Sequence, residues 1–348
     1  MSGVEVLLLV VMLAFGFLVA FAIGSNDEAM SPAVGSKVLT LRTAVCLGAC
    51  ISLVGALSLG GNVSAKVGSD LIGGRSLTTA MVLAILLAMS LWLLVVSAAR
   101  GLPISTTQCI VGSVIGAVLI AAVVETGDWG VNAVSWAVVA EILAGWLVSP
   151  VIGFLVSAAV ITVIRRTQRR VKGLTGVERQ EKLASYALVV FLIWTTLSRG
   201  GNDVANAVAP LVSVPEFQGT ANIGPLVVPA VHIPLLVGGI GMGAGLIVVG
   251  RKVIKTLATE VVTLSPTTAL SASVSVSLVL FFGTLLGFPL SGTHVLVAAL
   301  IAVGWVESKP LQRKQVMEIV TSWIITVPLS ALLAAGMLVL LCHLFPGL

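Results

Sequence analysis

Two short polar phrases interrupt an otherwise apolar chain: Gly24-Ser-Asn-Asp-Glu-Ala-Met30 and Arg199-Gly-Gly-Asn-Asp-Val-Ala-Asn-Ala-Val-Ala-Pro210. Each follows a hydrophobic run, and each carries the pair Asn-Asp, at Asn26-Asp27 and again at Asn202-Asp203. An ionisable group at bilayer depth points to function, because burying it is unfavourable unless a partner, water or an ion satisfies it. The carboxylates of Asp27 and Asp203, with the carboxamides of Asn26, Asn202 and Asn206, are hard oxygen donors suited to a small cation, and main-chain carbonyls at a broken helix can complete the shell. Glu28 is a candidate proton carrier. The competing reading is that the two Asp residues cap helices or pair with Lys37, Arg199 or Lys252.

A second pair of phrases, Pro103-Ile-Ser-Thr-Thr-Gln108 and Pro289-Leu-Ser-Gly-Thr-His294, stands where the chain re-enters apolar runs. A proline followed by Ser and other small residues suits the start of a helix, whose first amides have no internal acceptor. A tetrahedral oxyanion can supply that acceptor, assisted by the positive end of the helix dipole. The groups assigned to such an anion are Ser105, Thr106, Thr107 and Gln108 in the first phrase, and Ser291, Gly292, Thr293 and His294 in the second. For a single phrase, ordinary capping by Ser and Thr would be the better reading. Its duplication favours a shared anion site, and a cation alongside would offset the anion's charge in a low-dielectric site.

The elements that hold these residues must be membrane helices. With 58% hydrophobic and 9% charged residues and a mean hydropathy of +1.15, the chain has too few charges to coat a soluble globule of 348 residues. Several apolar runs reach the length needed to cross a bilayer, so the fold class is an all-α integral membrane protein of roughly ten to twelve membrane segments, including broken helices and re-entrant hairpins. Val4 to Ile23 has no basic residue before it and lacks a small-residue cleavage site, so it reads as a retained helix. Gly60 to Ser76 reads as a loop, and Pro150 as a division or kink within Asn132 to Ile164.

Of 19 basic residues, seven fall between Arg165 and Lys182. This divides the chain into a first repeat (1–164), a basic linker (165–182) and a second repeat (183–348), with the linker cytoplasmic by the positive-inside rule. Termini without Lys or Arg then face outward, and each half crosses an odd number of times. Two related halves of that kind are inverted relative to one another. The basic stretch sets topology and does not bind nucleic acid. Cys46, Cys50, Cys109 and Cys342 read as packing residues, with no zinc-type spacing. Gly238-Gly-Ile-Gly-Met-Gly-Ala-Gly245 reads as a close helix-packing surface, since no strand precedes it as a nucleotide site would require.

Further echoes follow the same order in both halves. Gly250-Arg-Lys-Val answers Gly35-Ser-Lys-Val, and Glu318, Trp323 and Pro328 answer Glu141, Trp146 and Pro150. An internal duplication with unequal loops accounts for them. Taken together, Gly-Gly-Asn-Asp-Val-Ala-Asn-Ala, Gly-Ser-Asn-Asp, Pro-Ile-Ser-Thr-Thr and Pro-Leu-Ser-Gly-Thr-His resemble the inorganic phosphate transporter (PiT) family, over essentially the whole chain.

That resemblance implies uptake of inorganic phosphate across the cell (plasma) membrane by symport with sodium or protons, with no other cofactor. It also implies an inverted duplication with re-entrant hairpins, and a homodimer in the lipid bilayer. Sodium is the favoured cation, with Asp27 and Asp203 as its metal ligands, and alternating access is the expected mechanism. Two departures mark this chain. Glu28 and Met30 stand where the family phrase has Val and a second Asn, with the segment to Gly35 about two residues short, and Gly292 stands where the first half has Thr106. Rival readings are a sulfate or other oxyanion permease of the same fold, a channel, and an intramembrane hydrolase using Ser105 or Ser291 with His294 or an Asp. The hydrolase fits poorly, because a nucleophile and base need not come in paired copies.

Overall fold

In the computed structural model of the protein, residues 3–95, 104–124, 127–170, 173–223, 226–260, 264–309 and 313–346 are described. Arg100 and Pro103 lie outside them. A chain this apolar satisfies its backbone amides internally, and helices do so within single segments. The first half forms α1 (Gly3–Ser25), α2 (Ser31–Gly35), α3 (Leu41–Gly68), α4 (Thr79–Leu93), α5 (Thr106–Val124) and α6 (Trp136–Gln168). The second forms α7 (Leu174–Val212), α8 (His232–Val248), α9 (Arg251–Glu260), α10 (Pro266–Leu285), α11 (Gly292–Val306) and α12 (Arg313–Leu344). A small antiparallel hairpin, β1 (Thr220–Ile223) with β2 (Leu226–Pro229), joins α7 to α8.

Hydroxyl side chains start several of these helices. Thr40, Thr78, Ser265 and Ser291 each accept a hydrogen bond from the amide three residues on, in a capping box with Thr268 in the case of Ser265. Among the described residues, seven helices (α1, α3, α5, α6, α7, α10 and α12) are long and apolar enough to cross a membrane, and α4, α8 and α11 are shorter apolar helices. Outward-facing Leu147, Val151 and Leu155 on α6, and Ile324 and Leu332 on α12, are exposed apolar surface suited to lipid.

Glycine sets how closely the helices approach. A Cβ at Gly245 of α8 would lie 1.9 Å from the Phe21 carbonyl oxygen of α1, and one at Gly200 of α7 would lie 2.2 Å from the Ser52 oxygen of α3. Both helix pairs therefore pack backbone to backbone, as the small-residue reading of Gly238–Gly245 expects. The principal contacts form a pattern. Helix α3 lies on α7 and α1 on α8; α12 covers α5 and α4, while α6 covers α11 and α10; α4 touches α5, and α10 touches α11. Exchanging α1, α3, α4, α5 and α6 for α7, α8, α10, α11 and α12 returns the same pairings. The last helix of each half thus packs on the other half.

Several local expectations are corrected. Helix α3 continues to Gly68, so most of Gly60 to Ser76 is not a loop; Gly68 is needed for contact, since a Cβ there would lie 2.1 Å from the Ala209 carbonyl oxygen. Pro150 does not divide its run, and α6 is continuous from Trp136 to Gln168. Beside the proline, Trp146 ties α6 to the segment before α11, its indole Nε1 donating to the Pro289 carbonyl at 3.0 Å. Much of the basic stretch is also helical, with Arg165 and Arg166 in the last turn of α6 and residues 174–182 in α7. Glu181 accepts from both the amide and hydroxyl of Thr267, at 3.0 and 2.8 Å, and so caps the start of α10. Under the exchange of packing partners Gly250, which follows α8, does not match Gly35, which precedes α3. Cys46 and Cys50 are exposed and only Cys109 is packed inside, with Cys342 intermediate.

Candidate functional site

The two Asn-Asp phrases behave differently in the backbone. After Ser25, α1 ends in a turn over residues 26–30 before α2 begins. Around Gly200 to Pro210, α7 runs unbroken, so no broken helix offers carbonyls at this copy. Its spacing then puts Arg199, Asn202, Asp203 and Asn206 on one stripe, three and four residues apart.

Despite that difference the two carboxamides do equivalent work. Asn26 donates from Nδ2 to the Ile104 carbonyl at 2.8 Å and accepts the Ile104 amide at 3.2 Å on Oδ1. Asn202 donates from Nδ2 to the Leu290 carbonyl at 2.5 Å. Ile104 and Leu290 are matching residues, each immediately before the serine that opens a hydroxyl phrase. Each carboxamide therefore fixes the chain just before a helix, α5 or α11.

Arg199 stands at the centre of the acids. Its Nη1 donates to Glu28 Oε1 at 2.6 Å, and its Nε lies 3.2 Å from Asp203 Oδ2 and 3.5 Å from Asp27 Oδ1. Arg199 is 3% exposed and Glu28 is fully buried. Burying three carboxylates with one guanidinium leaves two negative charges uncompensated if all four are ionised, a strong attraction for cations in a medium of low dielectric. No group of three or more His, Cys, Asp or Glu side chains among the described residues is arranged to hold a metal ion by itself. No helix passes through the turn at residues 26–30, and both Asp27 and Glu28 reach Arg199.

The hydroxyl phrases meet the same cluster. Thr106 Oγ1 lies 3.5 Å from Asp203 Oδ1, and Thr293 Oγ1 donates to Glu28 Oε1 at 2.9 Å. Ser105 and Ser291 accept the Gln108 and His294 amides at 3.4 and 3.3 Å, so both serines cap their helices. Thr107 turns to Ser105, at 3.0 Å between hydroxyl oxygens. A Cβ on Gly292 would lie 3.0 Å from Arg199 Nε and Cζ; the missing side chain makes room for the guanidinium.

All of the residues singled out from the phrases are buried, and several keep polar atoms without a partner among the described residues: Glu28 Oε2, Asn202 Oδ1, both amide atoms of Asn206, Gln108 Oε1 and His294 Nε2. Gln108 and His294 thus match again, one at the start of each helix, although the His294 ring also packs on Trp323 with centroids 3.7 Å apart. Orphaned buried polar atoms in such number are unfavourable without a ligand. Sequence reasoning missed the central place of Arg199, which it treated only as one of several partners for an acid. Its i, i+4 spacing to Asp203 was the available signal.

Comparison with known proteins agrees with this architecture. The phosphate transporter family matches residues 23–334. A candidate phosphate permease of Thermococcus kodakarensis is 28% identical, with 94% of this chain and 96% of that protein covered. The chloroplastic inorganic phosphate transporter 2-1 of Arabidopsis thaliana is 29% identical over 92% of this chain and 70% of its own length. A solved structure described as the sodium-dependent phosphate transporter superposes with a TM-score of 0.82 at 26% identity, covering 97% of this chain and 99% of that one. With a family match across most of its length and polar phrases gathered into one buried site, the chain belongs to the phosphate transporter family and is an all-α membrane protein, not an enzyme.

Proposed function

We propose that the protein imports inorganic phosphate together with a cation, sodium in the first instance, by alternating access around the Arg199 cluster. One observation carries this reading: both Asn-Asp pairs and the starts of α5 and α11 are linked within a single buried site. The anion is assigned to the first turns of α5 and α11, with Thr106, Thr107, Gln108, Gly292, Thr293 and His294, and with Ser105 and Ser291 shaping those turns as caps. Asp27, Asp203, Asn26, Asn202 and Asn206 are assigned to the cation. The two ligands attract each other, so each favours binding of the other. Sodium is supported by the name of the similar solved transporter; proton carriage by Glu28 is the alternative, supported by its unpartnered Oε2.

The exchange of packing partners supports two inverted repeats, 1–164 and 183–348, on either side of the basic segment 165–182. The same reading puts the protein in the cell membrane as a homodimer. Equilibrium binding of radiolabelled phosphate to purified protein tests the substrate. Sodium is expected to raise phosphate affinity, and an equal concentration of sulfate to leave bound phosphate unchanged. Displacement by sulfate would assign the site to a different oxyanion.

A further inference from the structure

Three departures from the internal repeat fall in one place. Arg199 stands where the first half has Ile23, Glu28 stands where the second half has Val204, and Gly292 stands where the first half has Thr106. All three meet: Arg199 Nη1 donates to Glu28 at 2.6 Å, and the side chain that Gly292 lacks would sit 3.0 Å from the guanidinium. A guanidinium has thus been inserted between the acids of the proposed cation site, together with a third acid and the space to hold it. Its Nε contacts both Asp27 and Asp203, the position a small cation shared by those carboxylates would take. Glu28 Oε2 and both amide atoms of the neighbouring Asn206 remain buried without a partner among the described residues, so the insertion leaves oxygen ligands available.

We infer that Arg199 is a tethered cation within the coupling site, its charge matched by Glu28, and that the number of sodium ions bound with phosphate follows the net charge of Asp27, Glu28, Arg199 and Asp203. This inference rests on the cotransport reading. The physical reason is that net charge in a buried site is unfavourable, so bound cations rise or fall to balance the fixed side chains. Two fixed negative charges remain with the guanidinium and all three acids in place. Removing Arg199 alone adds one, removing Glu28 alone subtracts one, and removing both restores the original sum.

The test is the amount of radioactive sodium bound per chain at saturating phosphate, measured by equilibrium dialysis on purified full-length protein, with size-exclusion behaviour and phosphate binding recorded for every variant. Arg199→Gln is expected to bind one more sodium than the parent and Glu28→Gln one fewer. The double variant and Arg199→Lys are expected to match the parent. Where either single variant does not fold, the double variant and Arg199→Lys decide, and a changed count in either overturns the inference. An unchanged count in a folded, phosphate-binding Arg199→Gln overturns it as well, while leaving cotransport standing. A parent protein that binds no sodium with phosphate overturns both.

Discussion

Thr293 and Thr107 occupy matching positions but have different partners. The Thr293 hydroxyl donates to Glu28 within the charged cluster, whereas Thr107 turns to Ser105. Replacing Thr293 with Val removes the hydroxyl assigned to the anion, and a hydrogen bond to a charged group is worth about 1.5–3 kcal/mol, so phosphate affinity is expected to fall roughly tenfold or more. Thr107→Val is expected to have a smaller effect. Radiolabelled phosphate binding to the two variants checks this, and equal losses would place both hydroxyls on the ligand alike. At this scale much was legible: the paired phrases singled out Asn26, Asp27, Asn202, Asp203 and the hydroxyl residues that the fold brings together. Arg199 was not, because a basic residue at the end of an apolar run reads equally well as a local partner of an acid. Nothing in spacing alone shows that Glu28, 171 positions away, meets it.

Between elements, the decisive contacts are those of glycines that let backbones touch. Gly245→Ala would drive a methyl group into the Phe21 carbonyl and force α1 and α8 apart, whereas Gly61 of α3 has nothing within 4 Å of an added Cβ. Overpacking of this kind costs about 1–3 kcal/mol or more, and an alanine at an open helical glycine is neutral to stabilising. The thermal midpoint should therefore be clearly lower for Gly245→Ala and unchanged or higher for Gly61→Ala. Helix existence and several caps were readable from hydrophobic runs and Ser or Thr at their starts. Helix continuity was not. Gly60 to Gly68 has a composition suited to a loop, yet it is helical, with Gly60 and Gly68 in contact with other helices, and α6 runs on through Pro150 with Trp146 held by the Pro289 carbonyl. Those partners are remote in sequence.

For the molecule as a whole, the repeated phrases point to two halves, but not to α6 packing on α11 and α12 on α5, an interleaving set by tertiary contact. If the halves are inverted, tags at both termini will be reachable from outside the cell and the 165–182 segment will be cleaved only from the cytoplasm; termini on opposite faces would contradict that arrangement. The gathering of both halves on one cluster also makes the coupling testable in a single assay. Purified protein in proteoliposomes, given separate sodium and proton gradients, should accumulate radiolabelled phosphate above equilibrium under an inward sodium gradient, and Asp203→Asn should abolish that accumulation because a charge at the cation site is lost. Phosphate flux that only runs downhill whichever gradient is imposed, or full accumulation by Asp203→Asn, would contradict cation-coupled transport through this site.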